Sequence, residues 1–198
     1  MSSRIIGFDL REQSDMLTDT ISRLGQVKDG LERAVSMGIN KTLESGRVRA
    51  VALLREVYAV KIKDAKQTMA IDKAAPGKWG GALNMRGDAS LPLARFAPRP
   101  SARLTPQPKR GVSVLVTKAT GRKAVPFAFV VNKPGGPVLF AREKGAARLP
   151  IRKLYGPSFL TFFDKMENWD PLTDYMEERM DLEISRAGNY LLKKAGIA

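Results

Sequence analysis

The sequence predicts an α+β fold in which N-terminal helices and a C-terminal helix pack on a mostly antiparallel β-sheet. Three observations carry this reading. Apolar residues recur at helical spacing near both ends of the chain. Ten of the twelve prolines lie between Pro76 and Pro150, a density that excludes helix over most of that stretch. Within the same stretch, short apolar runs alternate with polar residues and are separated by Pro and Gly turns. One domain over residues 1–198 is expected: a helical region at 1–72, a basic Pro/Gly-rich β region at 73–156 and C-terminal helices at 157–198.

From about Asp15 to Met69 the pattern is helical. Val27, Leu31, Ala34, Val35, Gly38, Ile39, Thr42 and Leu43 trace one face at 3.6 residues per turn. Gly25 and Gly46 fall where breaks are expected. Ser45 is placed to cap a following helix that carries Val48, Val51, Ala52, Leu54 and Val57, so the entry into the fold is a helical hairpin or one long helix with a break. A further short helix is expected over Lys61 to Met69, ending near Ile71.

After Lys73 the expected strands are Ala82 to Arg86, Leu93 to Phe96, Ser101 to Thr105, Val112 to Lys118, Ala124 to Val131, Val138 to Arg142 and Leu149 to Leu154. Val112, Val114 and Val116 point one way, and Ser113, Leu115 and Thr117 the other. Thr120-Gly121-Arg122 and Pro134-Gly135-Gly136 are turn sequences, which makes an antiparallel meander the economical arrangement. Trp79 sits between glycines in a bend and reads as a core anchor in preference to an exposed contact. Phe127, Phe129 and Phe140 share segments with aliphatic residues and are expected to fill the core.

Helix returns after Gly156. Pro157 opens a short helix through Phe163, and Asp170-Pro171 supplies an N-cap and first-turn pair for the last helix. Leu172, Tyr175, Met176, Met180, Ile184, Ala187 and Leu191 form its apolar stripe. Asp174, Glu177, Glu178, Asp181 and Glu183 load its first half with acid, while Lys193 and Lys194 suit its negative C-terminus.

The net charge of +14 is concentrated in the middle of the chain. Lys and Arg outnumber Asp and Glu by 12 to 10 over residues 1–72 and by 17 to 2 over residues 73–156, then fall behind by 5 to 8 over residues 157–198. Such a block suits a surface that faces polyanions or acidic protein. The chain has no cysteine and no histidine, which removes disulfides, thiolate metal sites and the commonest general base. No apolar run approaches a membrane span, and Met1 to Leu10 does not read as a secretory signal.

No SxxK, GxSxG or phosphate-cradling GxxxxGK[ST] motif occurs, so catalysis has no positive support and no cofactor is expected. The acids Asp174, Glu177, Glu178 and Asp181 lack a second cluster to complete a metal sphere and read as a solvated face or subunit contact. The basic candidates for contact with DNA or a neighbouring subunit are Lys109, Arg110, Lys118, Arg122, Lys123, Lys133, Arg142, Lys144, Arg148, Arg152 and Lys153. They fall mainly in turns and at strand ends. Neither stacking platforms nor a recognition helix accompanies them, so nucleic acid would be met through phosphates and without regard to sequence.

The order of segments resembles a family. A helical "LERAVSMGINKTLESGRVRAVALLREVYAVKIKDAKQTMAIDKA" precedes a Pro-rich basic stretch, then come "GVSVLVTKATGRKAVPFAFVV" and "VLFARE", and "RLPIRKLYGPSF" leads into a helix. This is similar to the prophage minor tail protein Z family, over roughly residues 25 to 165. Pro150, Ile151, Leu154, Gly156, Pro157 and Ser158 carry its most specific motif, which joins sheet to helix and holds no chemistry. The resemblance implies a non-enzymatic virion protein of long-tailed phages, assembled in the bacterial cytoplasm and acting in tail completion. It implies a ring, most simply a homo-hexamer, at the head-proximal neck beside the tail terminator, tail tube or other neck proteins. The basic residues would then line the lumen near the phage DNA end or meet the acidic face of the next subunit. The alternative is a free, sequence-independent nucleic-acid binding protein that uses the basic β region.

Overall fold

The computed structural model describes residues 3–7, 22–86, 90–105, 111–142 and 149–197. Its elements are β1 (Ser3–Gly7), α1 (Gly30–Val57), α2 (Ile62–Lys66), β2 (Met69–Asp72), β3 (Ala82–Arg86) and a 3-10 turn at Leu93–Arg95. They continue with β4 (Val112–Val114), β5 (Lys123–Val125), β6 (Ala128–Lys133), β7 (Gly136–Arg142), β8 (Ile151–Lys153), α3 (Phe159–Phe163) and α4 (Met166–Ala195). The composition is α+β, and every strand pairing is antiparallel. The strands form three separate sheets, ordered β1-β3-β2, β4-β5 and β6-β7-β8. Residues group into two compact units, one from Ser2–Ala50, Met69–Arg86 and Phe163–Ala198, the other from Val51–Thr68 and Gly87–Phe162.

In the first unit, α1 and α4 bury their apolar stripes. Leu24, Ala34, Ala187, Leu191 and Leu192 form one cluster, with Val27 and Ile197 packed against it. The α1 face expected from spacing is the buried one, including Ala34, Val35, Gly38, Ile39, Thr42 and Leu43. The expected break at Gly46 is absent, because α1 is continuous and Gly46 is a contact position where the Met176 side chain fills the space a side chain would need. Ser45 is no cap either; its hydroxyl donates to the Thr42 carbonyl at 2.9 Å. At Gly38 an added Cβ would lie 2.7 Å from the Cα of Ile184. Asn40 fastens the chain after β2 to α1: its amide donates to the Ala74 carbonyl and accepts from the Ala74 N–H, both at 2.9 Å.

The last helix starts earlier than expected. Lys165 is its N-cap, and Asp170-Pro171 lie inside it. Pro171 is the sixth residue of the helix, past the first turn, so its missing N–H removes one backbone hydrogen bond from the helix. Gly196, at φ 73°, ends the helix in the left-handed conformation that lacks a Cβ penalty. Leu172, Met176, Met180, Ile184, Ala187 and Leu191 of the expected stripe are buried, and Tyr175 is half-buried.

Trp79 is 46% exposed and not a core anchor. A tight turn at Pro76-Gly77, closed by reciprocal backbone hydrogen bonds between Ala75 and Lys78, leaves it at the surface. The helix expected over Lys61 to Met69 ends at Lys66; the Thr68 hydroxyl donates to the Ala65 carbonyl at 2.8 Å, and Met69 onward pairs with β3 instead.

In the second unit the core holds Leu54, Leu93, Phe96, Val112, Val114, Val130, Leu139, Phe159 and Phe162. Tyr58 meets Phe159 and Phe162 at ring separations of 5.6 and 5.8 Å, and Phe96 meets Phe159 at 6.3 Å. Gly156 of the expected joining motif lies against the Phe96 ring, where a Cβ would collide. Its cohesion is therefore aromatic and local.

Four strand expectations are corrected in this unit. Leu93–Arg95 is a 3-10 turn, with Arg95 N–H bonded to the Pro92 carbonyl at 2.9 Å. Residues 101–105 form no strand; all five are exposed and gain nothing from pairing. Val112–Val114 stops short of Lys118 because Leu115 N–H turns to the Phe96 carbonyl, at 3.1 Å. The Ala124 to Val131 run splits into β5 and β6 at Phe127, which adopts φ 59° and is 54% exposed, not core. Phe129 and Phe140 are half-buried and stack on each other, with centroids 6.2 Å apart.

A side chain at Gly38 must displace the Ile184 backbone. We expect Gly38→Ala to destabilise the fold by about 1–3 kcal/mol in chemical denaturation. A loss below the error of the measurement would contradict the close approach of the two helices.

Candidate functional site

Of the basic residues singled out from sequence, Lys109, Arg110, Lys144 and Arg148 lie outside the described residues. The remaining seven occupy the second unit and fall into three groups. Lys133, Arg142 and Lys153 lie over aromatic rings: Lys133 Nζ is 5.2 Å from the Phe140 centroid, the Arg142 guanidinium 4.5 Å from Phe129, and Lys153 Nζ 4.9 Å from Tyr155. The negative π faces hold these cations without neutralising them. The sheet register brings the carriers together, since Phe129 pairs with Phe140, Phe140 with Lys153, and Arg142 with Ile151. Arg152, also on β8, is exposed.

Arg122 belongs to the second group and is structural in its contacts. Its guanidinium donates to the Ala97 carbonyl at 2.6 Å and to the Ser113 carbonyl at 3.2 Å, tying the loop after the 3-10 turn to β4. Lys118 and Lys123 form the third group, exposed with no carboxylate within ion-pair distance among the described residues. Within the joining motif, Pro150 and Ile151 are exposed while Leu154, Gly156 and Pro157 are half-buried.

The acidic candidates Asp174, Glu177, Glu178 and Asp181 are all exposed on α4. None forms an ion pair with a described residue. Glu183, one turn further on, does: its Oε1 is 2.9 Å from both Arg179 and Arg186. The four acids face solvent because the stripe through Leu172, Met176, Met180 and Ile184 occupies the opposite side of the helix. Among the described residues, no three or more acids converge as a metal site.

Sequence reasoning missed a further group. Arg55, Lys61 and Arg95 join Lys118 and Tyr58 around a cavity of about 220 Å³. Arg55 and Lys61 lie in the balanced N-terminal region, where net charge by segment conceals them. The signal was their position at the end of a helical period, where the chain must turn. Arg95 is oriented by Asp64, a buried carboxylate 3.3 Å from its Nη1. Burial pushes the Tyr58 hydroxyl above its ordinary value of 10.0, so it remains a neutral donor at physiological pH.

Comparison with known families decides what kind of protein carries these surfaces: the prophage minor tail protein Z profile matches residues 16–195. The chain belongs to that family. The match extends beyond the stretch that carries the sequence resemblance and takes in all of α4. This minor tail protein is thus a structural component of the phage tail and of the virion. No curated protein and no solved structure matches it. No helix among its described residues is long and apolar enough to cross a membrane.

Two outcomes are expected. Arg122→Ala should lower stability by about 1 kcal/mol, since it removes the tie to the exposed Ala97 carbonyl while the Ser113 carbonyl keeps the Arg99 N–H at 2.7 Å, and denaturation midpoints measure it. In an alkaline absorbance titration, Tyr58 should ionise later than in the unfolded chain. The stability linked to this shift is complete below pH 10.0 and is lost as pH rises through the folded value. Tyr58→Phe should remove the late component, and its persistence in that variant would refute the assignment.

Proposed function

We propose that this minor tail protein completes the tail as an oligomeric ring, most simply a hexamer, at the head-proximal end, where it aids joining of tail to head. The observation that carries the reading is the pair of uncompensated surfaces. Asp174, Glu177, Glu178 and Asp181 are exposed on α4 without ion-pair partners. The basic face of β6-β7-β8, with Lys133, Arg142 and Lys153, has rings beside its cations where carboxylates would serve as well, while Arg152, opposite Ala141, lies on the other face of the sheet. A head-to-tail contact between unlike faces of successive copies is the kind that closes a ring. Opposite charge across it sets register and speeds encounter more than it adds affinity.

Ring closure also repeats every cation about an axis. Lys118, Lys123 and any other basic residue on the lumen side would build a field there that a DNA end meets through its phosphates. The tail terminator and tail tube are the protein neighbours that this position implies.

Purified protein should sediment as a closed oligomer and appear as rings by negative stain, and antibody labelling should mark the neck of assembled tails. Glu177→Lys with Glu178→Lys should weaken self-association at least about tenfold by sedimentation. Combining it with Arg142→Glu and Lys153→Glu, which share a face, should restore part of the loss. A protein that stays monomeric and is missing from particles would sink the proposal.

A further inference from the structure

We propose that the cavity bordered by Arg55, Tyr58, Lys61, Arg95 and Lys118 is a binding site for a phosphate group. The site is built within the second unit from three separate chain segments: the last turn of α1 and its exit, the 3-10 turn, and the stretch after β4. Convergence of four cations from segments that far apart in sequence is not the pattern of a solvated charge run. Among the described residues, Arg55, Lys61 and Lys118 have no carboxylate within 4.0 Å. Arg95 alone is matched, by Asp64. Four cations against one carboxylate leave a surplus of three, more than one side-chain carboxylate from a partner would balance.

The donors are held in place. Arg95 is held at both terminal nitrogens, Nη1 3.3 Å from the buried Asp64 and Nη2 donating to the Gly135 carbonyl at 3.3 Å, while the Nε of Arg55 donates to the Val60 carbonyl at 3.2 Å, which leaves the terminal nitrogens of Arg55 for a ligand. The Arg55 fork suits the oxygens of phosphate, and Arg95 and the lysines add charge without demanding geometry. Tyr58, whose ring packs on Phe159 and Phe162, borders the same cavity.

The site lies beside the C-terminal end of α1, whose carbonyls would repel an anion if left bare. They are covered. The Leu54 carbonyl accepts from Tyr58 N–H at 2.8 Å and the Val57 carbonyl from Lys118 N–H at 2.9 Å.

Size narrows the ligand further. At about 220 Å³ the cavity is smaller than the roughly 300–1,000 Å³ that encloses a whole small molecule. It admits a group, not a nucleotide with its base and sugar. The phosphate is therefore either free or presented by a larger molecule, and a nucleic-acid backbone presents it with the rest of the polymer outside. Nothing in this argument requires a ring, so the site and the ring are separable by experiment.

The test uses the full-length protein with three probes: inorganic phosphate, a blunt DNA duplex and a polyglutamate peptide, read by calorimetry and by fluorescence anisotropy. Phosphate should bind saturably and compete with the duplex. Lys61→Gln with Lys118→Gln should weaken both about tenfold and flatten the salt dependence of duplex binding, whereas Lys194→Gln, at the far end of α4, should change neither. Competition by phosphate identifies the backbone as its source; phosphate binding without duplex binding identifies the free ion. Thermal melts of the double variant should match the parent, so that a loss of binding reports the site. The Glu177→Lys, Glu178→Lys protein should retain phosphate binding even where its ring is lost. Unchanged binding in the double lysine variant, or tighter binding of polyglutamate than of either phosphate probe, would overturn the proposal.

Discussion

The approach of α1 to α4 leaves no space for a side chain at Gly38 or Gly46, because Ile184 and Met176 occupy it. A helix packed against backbone has little freedom to rotate about its own axis, since any turn drives a side chain into the facing helix. The rotation of α4 is therefore set by two residues of α1 that have no side chain at all. Once it is set, the acids that alternate with the apolar stripe have one direction left. Their exposure is a consequence of core packing and costs the fold nothing separately.

The second unit is organised differently. Among the described residues its strands are three to seven residues long, and no sheet in it exceeds three strands. Short sheets bury little, so aromatic contacts around Phe96, Phe159 and Tyr58 supply cohesion that strand length does not. Arg122 and Arg95 work in the same sense, using guanidinium groups to hold turns together. A basic protein thus spends part of its charge internally, which explains why counting Lys and Arg overstates the surface available to partners.

Long elements were legible in the sequence and short ones were not. Periodicity placed α1 and α4 and most of their buried residues, because a 28- or 30-residue helix repeats its pattern several times. Glycine misled at Gly46: composition cannot separate a helix break from a position where a neighbour needs the room. Leu93 to Phe96 and Val112 to Lys118 failed because their course depends on hydrogen bonds to distant segments, Leu93 N–H to the Leu154 carbonyl and Leu115 N–H to the Phe96 carbonyl. For the site, charge counting found the strand-borne cations and the acidic helix face. It missed Arg55, Lys61 and Arg95, since convergence in space leaves no trace in a segmental sum.

The cations lying over Phe140, Phe129 and Tyr155 have a thermodynamic consequence of their own. A free Lys or Arg side chain gives up on the order of 2 kcal/mol of rotamer entropy when it is immobilised at a contact. A side chain already resting on a ring has surrendered part of that freedom during folding. Association then starts from a preordered surface, and less of the attraction between molecules is consumed in arranging it. The aromatic rings that add only modestly to the core thereby set how sharply this face can recognise whatever arrives.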